Sequence, residues 1–424
     1  MKRTRSRRVG SAVLAAGAAL ALTLSACSTA GGGGDESGGD GLTAVFLSGG
    51  AYDPCAEGYA KKFAEETGVQ VQVIHEGYPT LHDKLLTALS SGADSYDVIM
   101  VAYQWTGEFA PFLTPLTDKL KADQSLSGVI PSVSQSYTFE NQQYAVPFSA
   151  QAETLFYRTD LLQKAGLEPP KTWDDYEKVA KFFDKNPDYP GVYGTSVKAG
   201  DANVQSAFNN RYYGLGGAVL GTPRSTLDVA TATKALDLLK RDATELSPAG
   251  ARQATFVEVS AQFAAGNVAM AELMPTTVLS QITDQTPENK VYGKVGVATI
   301  PGGKGEAGGW GLSVAKSSSD QDNAYKFASF MSSAAADHDC FVQYGKSPVQ
   351  GATYEAGDVA DKFYTTGVRA ALETAAPRPS GATAGKLNTM FTDVSSRFLA
   401  GQIPNAAAAA QEMADEYVKI NNGK

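Results

Sequence analysis

The chain has 424 residues, 43% hydrophobic and 19% charged, a globular composition with room for two domains. Its 36 basic and 45 acidic residues give a net charge of −9, which argues against wrapping nucleic acid, because that needs a basic face to neutralise phosphates. Three histidines and three cysteines, with no CxxC, HExxH or close Cys/His cluster, leave no zinc site of ordinary spacing, and no metal or cofactor is expected.

The first 26 residues hold five bases (Lys2, Arg3, Arg5, Arg7, Arg8) and no acid; without them 31 bases face 45 acids. Gly10–Leu24 is an Ala/Leu-rich apolar run of 15 residues, shorter than the roughly 20 that a membrane-spanning helix needs. Basic, then apolar, then small is the order of an export signal. Leu24-Ser25-Ala26-Cys27 resembles the lipobox of bacterial lipoproteins. That resemblance implies that 1–26 is a signal peptide and that Cys27 is diacylated, holding the protein at the outer face of the cell membrane. Ser6-Arg7-Arg8 leaves the Sec and twin-arginine routes both open. Gly31–Gly34 and Ser37-Gly38-Gly39-Asp40-Gly41 make 27–41 a flexible Gly-rich tether. No second apolar run of spanning length follows, so the remainder is expected outside the cell. In that oxidising compartment Cys55 and Cys340 form an even pair. They suggest one disulfide across about 285 residues, the alternative being two buried free thiols.

Leu42–Leu47 reads as a strand. Ala56–Thr67 reads as a helix with Tyr59 and Phe63 on one face and Gly68 as its stop. Val69, Val71 and Val73 alternate with glutamines at period two, and Leu81, Leu85, Leu86 and Leu89 mark a second helix. Asp97–Ala102 is apolar throughout, as suits a strand buried on both faces. The order βαβαβ predicts an α/β fold, an open parallel sheet covered by helices. Tyr144–Phe148 and Leu155–Tyr157 are extended. Thr172 caps a helix whose first turn carries Asp174 and Asp175, which suit the positive helix start; Trp173 there is structural. Thr231–Arg241 and Phe256–Ala265 read as helices, Val295–Ile300 as a strand, Pro301–Gly309 as a glycine-rich crossing and Trp310–Ala315 as a strand. Asn323–Ser333 and Asn405–Ile420 close the chain as helices.

Ligands on such sheets sit outside the carboxyl ends of the strands. Tyr52 and Asp53 follow the first strand, Tyr78 the second, and Tyr103, Gln104 and Trp105 the third. Gly345-Lys346-Ser347 looks like the end of a phosphate loop, but the first glycine that loop requires falls at Cys340. Ser313 in Gly311–Ala315 nearly matches a nucleophile elbow but lies in a strand pattern, so it reads as structural. Asp337-His338-Asp339 reads as a solvated helix face. Tyr212-Tyr213 invites comparison with ferric-ion receptors, yet Asn209, Asn210 and the cation Arg211 beside them oppose metal binding. No catalytic set is legible. Aromatics and planar polar groups near strand ends fit sugars, whose rings stack and whose hydroxyls take bidentate partners. The ligand-binding candidates are the six residues above; Glu153, Asn209, Arg211 and Arg378 join them as planar polar groups, and Gln151 and Trp310 enter through the resemblance that follows.

Lys62–Val69, Tyr96–Met100, Tyr144–Pro147 through Tyr157–Leu161, Pro170–Trp173, Phe263–Met270 and Pro301 to Gly311, in this order, resemble the extracellular solute-binding proteins of sugar ABC transporters, the maltose-binding-like group. The resemblance runs from about Leu42 to the end. It implies two α/β lobes joined by hinge strands, with 42–148 and 307–355 in lobe one, 149–306 and 356–424 in lobe two, and a sugar or polyol bound between them. It also implies that Trp310 stacks on the sugar ring and that Tyr103 to Trp105 and Gln151 touch hydroxyls. Gln151 stands where relatives often carry an acid, and Thr276 where some place a stacking tryptophan, which points to a smaller or differently posed sugar. Cys55 and Cys340 both fall in lobe one. The expected partners are the sugar, the permease subunits of an ABC transporter and the membrane through the lipid anchor, with the receptor a monomer. A secreted glycan-acting lipoprotein enzyme, a ferric-ion receptor and a sensory receptor are the alternatives.

Overall fold

A computed structural model describes residues 41–49, 51–92, 95–200, 203–221, 225–379, 381 and 383–422. The segment 1–26 expected to be a signal peptide, Cys27 and nearly all of the expected tether lie outside these residues. All described residues fall in one contact unit, 40–424.

The chain begins with β1 (Leu42–Leu47), α1 (Tyr52–Thr67), β2 (Val71–Glu76), α2 (Tyr78–Ser90) and β3 (Val98–Ala102). Then come β4 (Val146–Ala152), β5 (Thr154–Arg158), α3 (Trp173–Phe183), β6 (Tyr193–Ser196), α4 (Asn203–Gly214) and α5 (Val229–Arg241). α6 (Phe256–Ala264), β7 (Val268–Leu273), α7 (Pro275–Ile282), β8 (Val295–Thr299) and β9 (Ala307–Val314) follow. The last part is helical: α8 (Gln321–Met331), α9 (Ala334–Tyr344), α10 (Thr365–Thr374), α11 (Ala384–Leu399) and α12 (Ala406–Asn422).

Two sheets organise these elements. The first has the order β2-β1-β3-β9-β4 and the second β8-β5-β7-β6. β1 to β3 pair in parallel, as the βαβαβ reading requires, and all five residues of β3 are buried. β9 then enters antiparallel between β3 and β4. It starts at Ala307, so the last residues of the expected glycine-rich crossing are already strand. Gly309 has φ +154°, and a Cβ there would lie 2.5 Å from the Ser149 carbonyl, so only glycine fits the approach to β4. A bulge between Trp310 and Gly311 shifts the register at the tryptophan, as bulges do where a side chain is re-aimed.

The first sheet packs in one apolar cluster and the second sheet between two others, and these are the two lobes. Three short stretches join them. Glu153 N–H donates to the Glu306 carbonyl at 2.8 Å, Ala307 N–H to Ala376 at 2.7 Å and Ala376 N–H to Gly305 at 2.9 Å. The crossings thus form a narrow hydrogen-bonded ribbon. The stretch 356–424 divides between the lobes. Tyr364, Val368, Ala371 and Leu372 pack into the first-sheet core, whereas Leu387, Phe391, Met413 and Tyr417 pack with α4 and α5 in the second lobe.

Thr172 caps α3 as read, its hydroxyl accepting from Asp175 N–H at 3.1 Å. The side chains of Cys55 and Cys340 are joined, Cα to Cα 5.5 Å, linking α1 to α9. The solvated-face reading of Asp337-His338-Asp339 is corrected at Asp337, which is fully buried and paired with Lys346. Its partner lies on the next segment of chain, invisible to helix periodicity.

Candidate functional site

A cavity of about 780 Å³ opens between the lobes. One wall comes from the first sheet: Leu47 and Gly49 at the end of β1, Tyr52 in the first turn of α1, and Trp310. The facing wall is α7, through Pro275, Thr276, Leu279 and Ser280, with Thr283 and Asp284 just beyond it. A third wall is the loop after α9, from Gly345 to Pro348.

That loop is held by one buried carboxylate. Asp337 accepts from Lys346 Nζ at 2.8 Å, Val349 N–H and Gln350 N–H at 3.0 Å each, and the Thr353 hydroxyl at 2.7 Å. Lys346 Nζ also donates to the Phe148 carbonyl at 2.6 Å. The pair is buried yet satisfied, the condition under which a buried charge is tolerated.

Tyr52 hydroxyl donates to Ser149 Oγ at 3.3 Å across to β4, and burial pushes its phenol up. Asp53 accepts from Gly49 N–H at 2.9 Å and so fixes the turn at the cavity edge. Trp310 is 7% exposed. Its indole meets Trp105 edge-on, centroids 5.4 Å apart at 85°, a favoured aromatic geometry. Gln104 sits partly exposed beside Trp105 in the turn after β3. Gln151 on β4 lines the cavity and accepts from the Thr276 hydroxyl. That contact spans the two walls.

Other candidates lie elsewhere. Tyr103 is buried and its hydroxyl donates to the Ala307 carbonyl, bracing a crossing; burial holds its phenol well above the ordinary value. A pinhole of about 10 Å³, shared with Gln151 and Gly308, adjoins it. Glu153, 2% exposed, pairs with Lys198 Nζ at 2.5 Å and accepts from Ser206 Oγ at 3.1 Å. Asn209 Nδ2 donates to Glu306 at 2.7 Å, and Arg378 pairs with the same carboxylate, so Glu306 ties α4 to two crossings.

Arg211 is corrected outright as a ligand contact. Fully buried, it donates to Asp242 at 2.5 Å, to Glu272 at 2.7 Å and to the Ala207 carbonyl at 2.9 Å, with its guanidinium over the Trp173 ring. One cation there serves two carboxylates. Burial pushes Asp242 up to about 6 against the pull of Arg211. The side chain of Tyr78 lies outside the described residues.

Tyr212 and Tyr213 are buried on α4. The Tyr212 hydroxyl accepts from Asp228 N–H at 3.0 Å, and the Tyr213 hydroxyl donates to the Pro377 carbonyl at 3.4 Å. Burial raises both phenols, which opposes the phenolate that iron ligation needs.

Of α7, the sequence reading named only Thr276, through the resemblance, and missed Pro275, Leu279 and Ser280. The helix begins at the carboxyl end of β7, a strand with all six residues buried, so the strand-end rule that selected Tyr52 and Trp105 selects it too. Lys346, set aside as a failed phosphate-loop lysine, is a structural part of the third wall.

A family model for the bacterial extracellular solute-binding protein matches residues 55–338. The "Probable ABC transporter-binding protein" of Deinococcus radiodurans is 26% identical over 362 residues, 81% of this chain and 84% of that protein. The mannitol-binding protein of Pseudomonas aeruginosa is 27% identical over 275 residues, 60% of each chain. Among solved structures, the GacH receptor of Streptomyces glaucescens, known unliganded and with acarbose, superposes with a TM-score of 0.73 at 25% identity, covering 89% of this chain and 97% of that one. With two lobes, a cavity between them and a family match over most of the folded chain, the protein belongs to the bacterial extracellular solute-binding proteins.

Proposed function

We propose that this protein is a receptor that captures a carbohydrate or polyol between its lobes and delivers it to an ABC permease. The observation that carries this reading is the cavity itself. An indole, a tyrosine, an amide and the hydroxyls of Thr276, Ser280 and Thr283 line one space and come from both lobes. A ligand touching both walls favours the closed arrangement by the contacts it makes only there. The relatives that bind mannitol and acarbose support the ligand class.

Lobe one comprises 42–152 and 307–355, because β4 runs to Ala152 in the first sheet, and lobe two comprises 153–306 and 384–424; α10 lies against both, with its apolar face in the first core and Gly367 against Val297 of β8. The chain acts as a monomer tethered outside the cell through Cys27. Cys27→Ser should release it into the medium, and full membrane retention of that variant would count against the anchor.

A thermal-shift panel of mono-, di- and trisaccharides and polyols tests the ligand class. A ligand at 100 times its Kd stabilises the native state by about 2.7 kcal/mol, a readily measured rise in Tm. No rise with any sugar or polyol would overturn the reading. Chemical analysis of the sugars after incubation should find them unchanged; products would favour the glycan-acting enzyme.

A further inference from the structure

Each of the three histidines sits between two carboxylates: His75 with Asp53 and Glu57, His82 with Asp83 and Glu108, His338 with Asp339 and Asp358. Among them His82 also joins the aromatic stack behind the cavity wall. Its Nδ1 lies 3.0 Å from Asp83 on its own helix α2, and its Nε2 3.0 Å from Glu108 on the short helix Thr106–Phe109. Lys84, two positions along α2, is engaged by Glu76 at 2.7 Å.

A neutral imidazole has one N–H. It can satisfy one of these carboxylates but must turn a lone pair towards the other. Two acceptors at hydrogen-bond distance therefore call for the imidazolium. Burial alone would lower the pKa of His82, but its hydrogen bonds to Asp83 and Glu108 outweigh that and raise it.

The His82 ring meets Trp105 and Phe109 at steep angles, 67° and 70°, with centroids 5.0 Å and 5.4 Å apart. Trp105 stacks on Phe109, and its edge-on contact with Trp310 carries the chain of rings to the cavity. We infer that His82 is a positioning residue: clamped as an imidazolium between Asp83 and Glu108, it fixes Trp105 and, through it, the Trp310 face of the cavity, making that wall responsive to pH. The part of this inference that concerns ligand affinity rests on the carbohydrate reading. The folded-state pKa is raised, so the clamp is complete at low pH and is lost as the pH rises through that value. Above it, one carboxylate has lost its donor and the ring is free to turn.

The test is an NMR titration of the chain lacking its signal peptide, following the three imidazoles and the three indole N–H groups. H75Q and H338Q assign His82, and W173F removes the indole remote from the stack. The expected result is a His82 midpoint above 6.5, with the Trp105 and Trp310 signals shifting at the same midpoint. E108Q, which leaves the ring in place, should lower the midpoint, and H82Q should abolish the indole shifts. Affinity for the panel sugar with the largest Tm rise should fall about three- to tenfold between pH 6 and 9, and stay flat in H82Q. A His82 midpoint at or below 6.5, or indoles that stay still through its titration, overturns the inference. Titrating indoles in a protein that no panel sugar stabilises would overturn the carbohydrate reading and support the clamp.

Discussion

Trp310→Ala is expected to weaken sugar binding by roughly 2–4 kcal/mol, as truncation of a buried aromatic anchor does, which is about 30- to 900-fold in Kd. The indole lines the cavity and also belongs to the first-sheet core. Alanine removes the stacking surface and leaves a hole beside Trp105, so stability falls as well, by about 3–5 kcal/mol if the site does not collapse. A ring only 7% exposed does not spare the fold. Trp310→Phe separates the two effects by retaining a ring and most of the packing. Calorimetric titration beside a thermal melt reads both. Unchanged affinity in the alanine variant, with Tm lowered, would make Trp310 core and remove it from the site.

Reduction of Cys55–Cys340, or the double serine variant, should cost on the order of 4 kcal/mol, because the bond closes a loop of about 285 residues that the unfolded chain would otherwise leave open. Both cysteines are fully buried, and α1 and α9 hold together around them: the Tyr59 hydroxyl donates to Asp339 at 2.9 Å and Lys62 reaches the same carboxylate at 3.3 Å. These contacts survive reduction, so the lobe should loosen rather than separate. Thermal melts with and without reductant measure the difference. Two alkylatable thiols in oxidised, folded protein would sink the prediction, as would a double variant that melts at the parental temperature.

Local signals carried the sheet and most helices. Valine alternation in β2, the unbroken apolar run of β3 and the Thr172 cap each need only a few neighbouring residues, and each stands as read. The strand-end rule reached Tyr52 and Trp105, since topology alone puts them at one edge, and the resemblance supplied Trp310. The reading of planar polar groups as sugar partners failed at Arg211, whose partners Asp242 and Glu272 are 31 and 61 residues away. It failed likewise at Glu153 and Asn209, whose partners Lys198 and Glu306 lie on other elements. A planar polar residue has the same local signature whether it faces a ligand or a buried counter-charge. The distinction is made by distant chain, and Asp337 shows the converse, a residue that reads as surface and anchors a wall.

The position of β9 has a consequence for how the chain is made. In its sheet, β4 pairs with β9 and with no other named strand. During synthesis, residues 146–152 therefore emerge well before their neighbour, which begins about 155 residues later at Ala307. At a synthesis rate of about 5–20 residues per second, the edge of the first lobe stays incomplete for roughly 8–30 s. Long-range pairings of this kind also fold slowly. The nascent protein thus spends its early life without a finished lobe, a state in which a polypeptide can still be threaded through a narrow membrane pore.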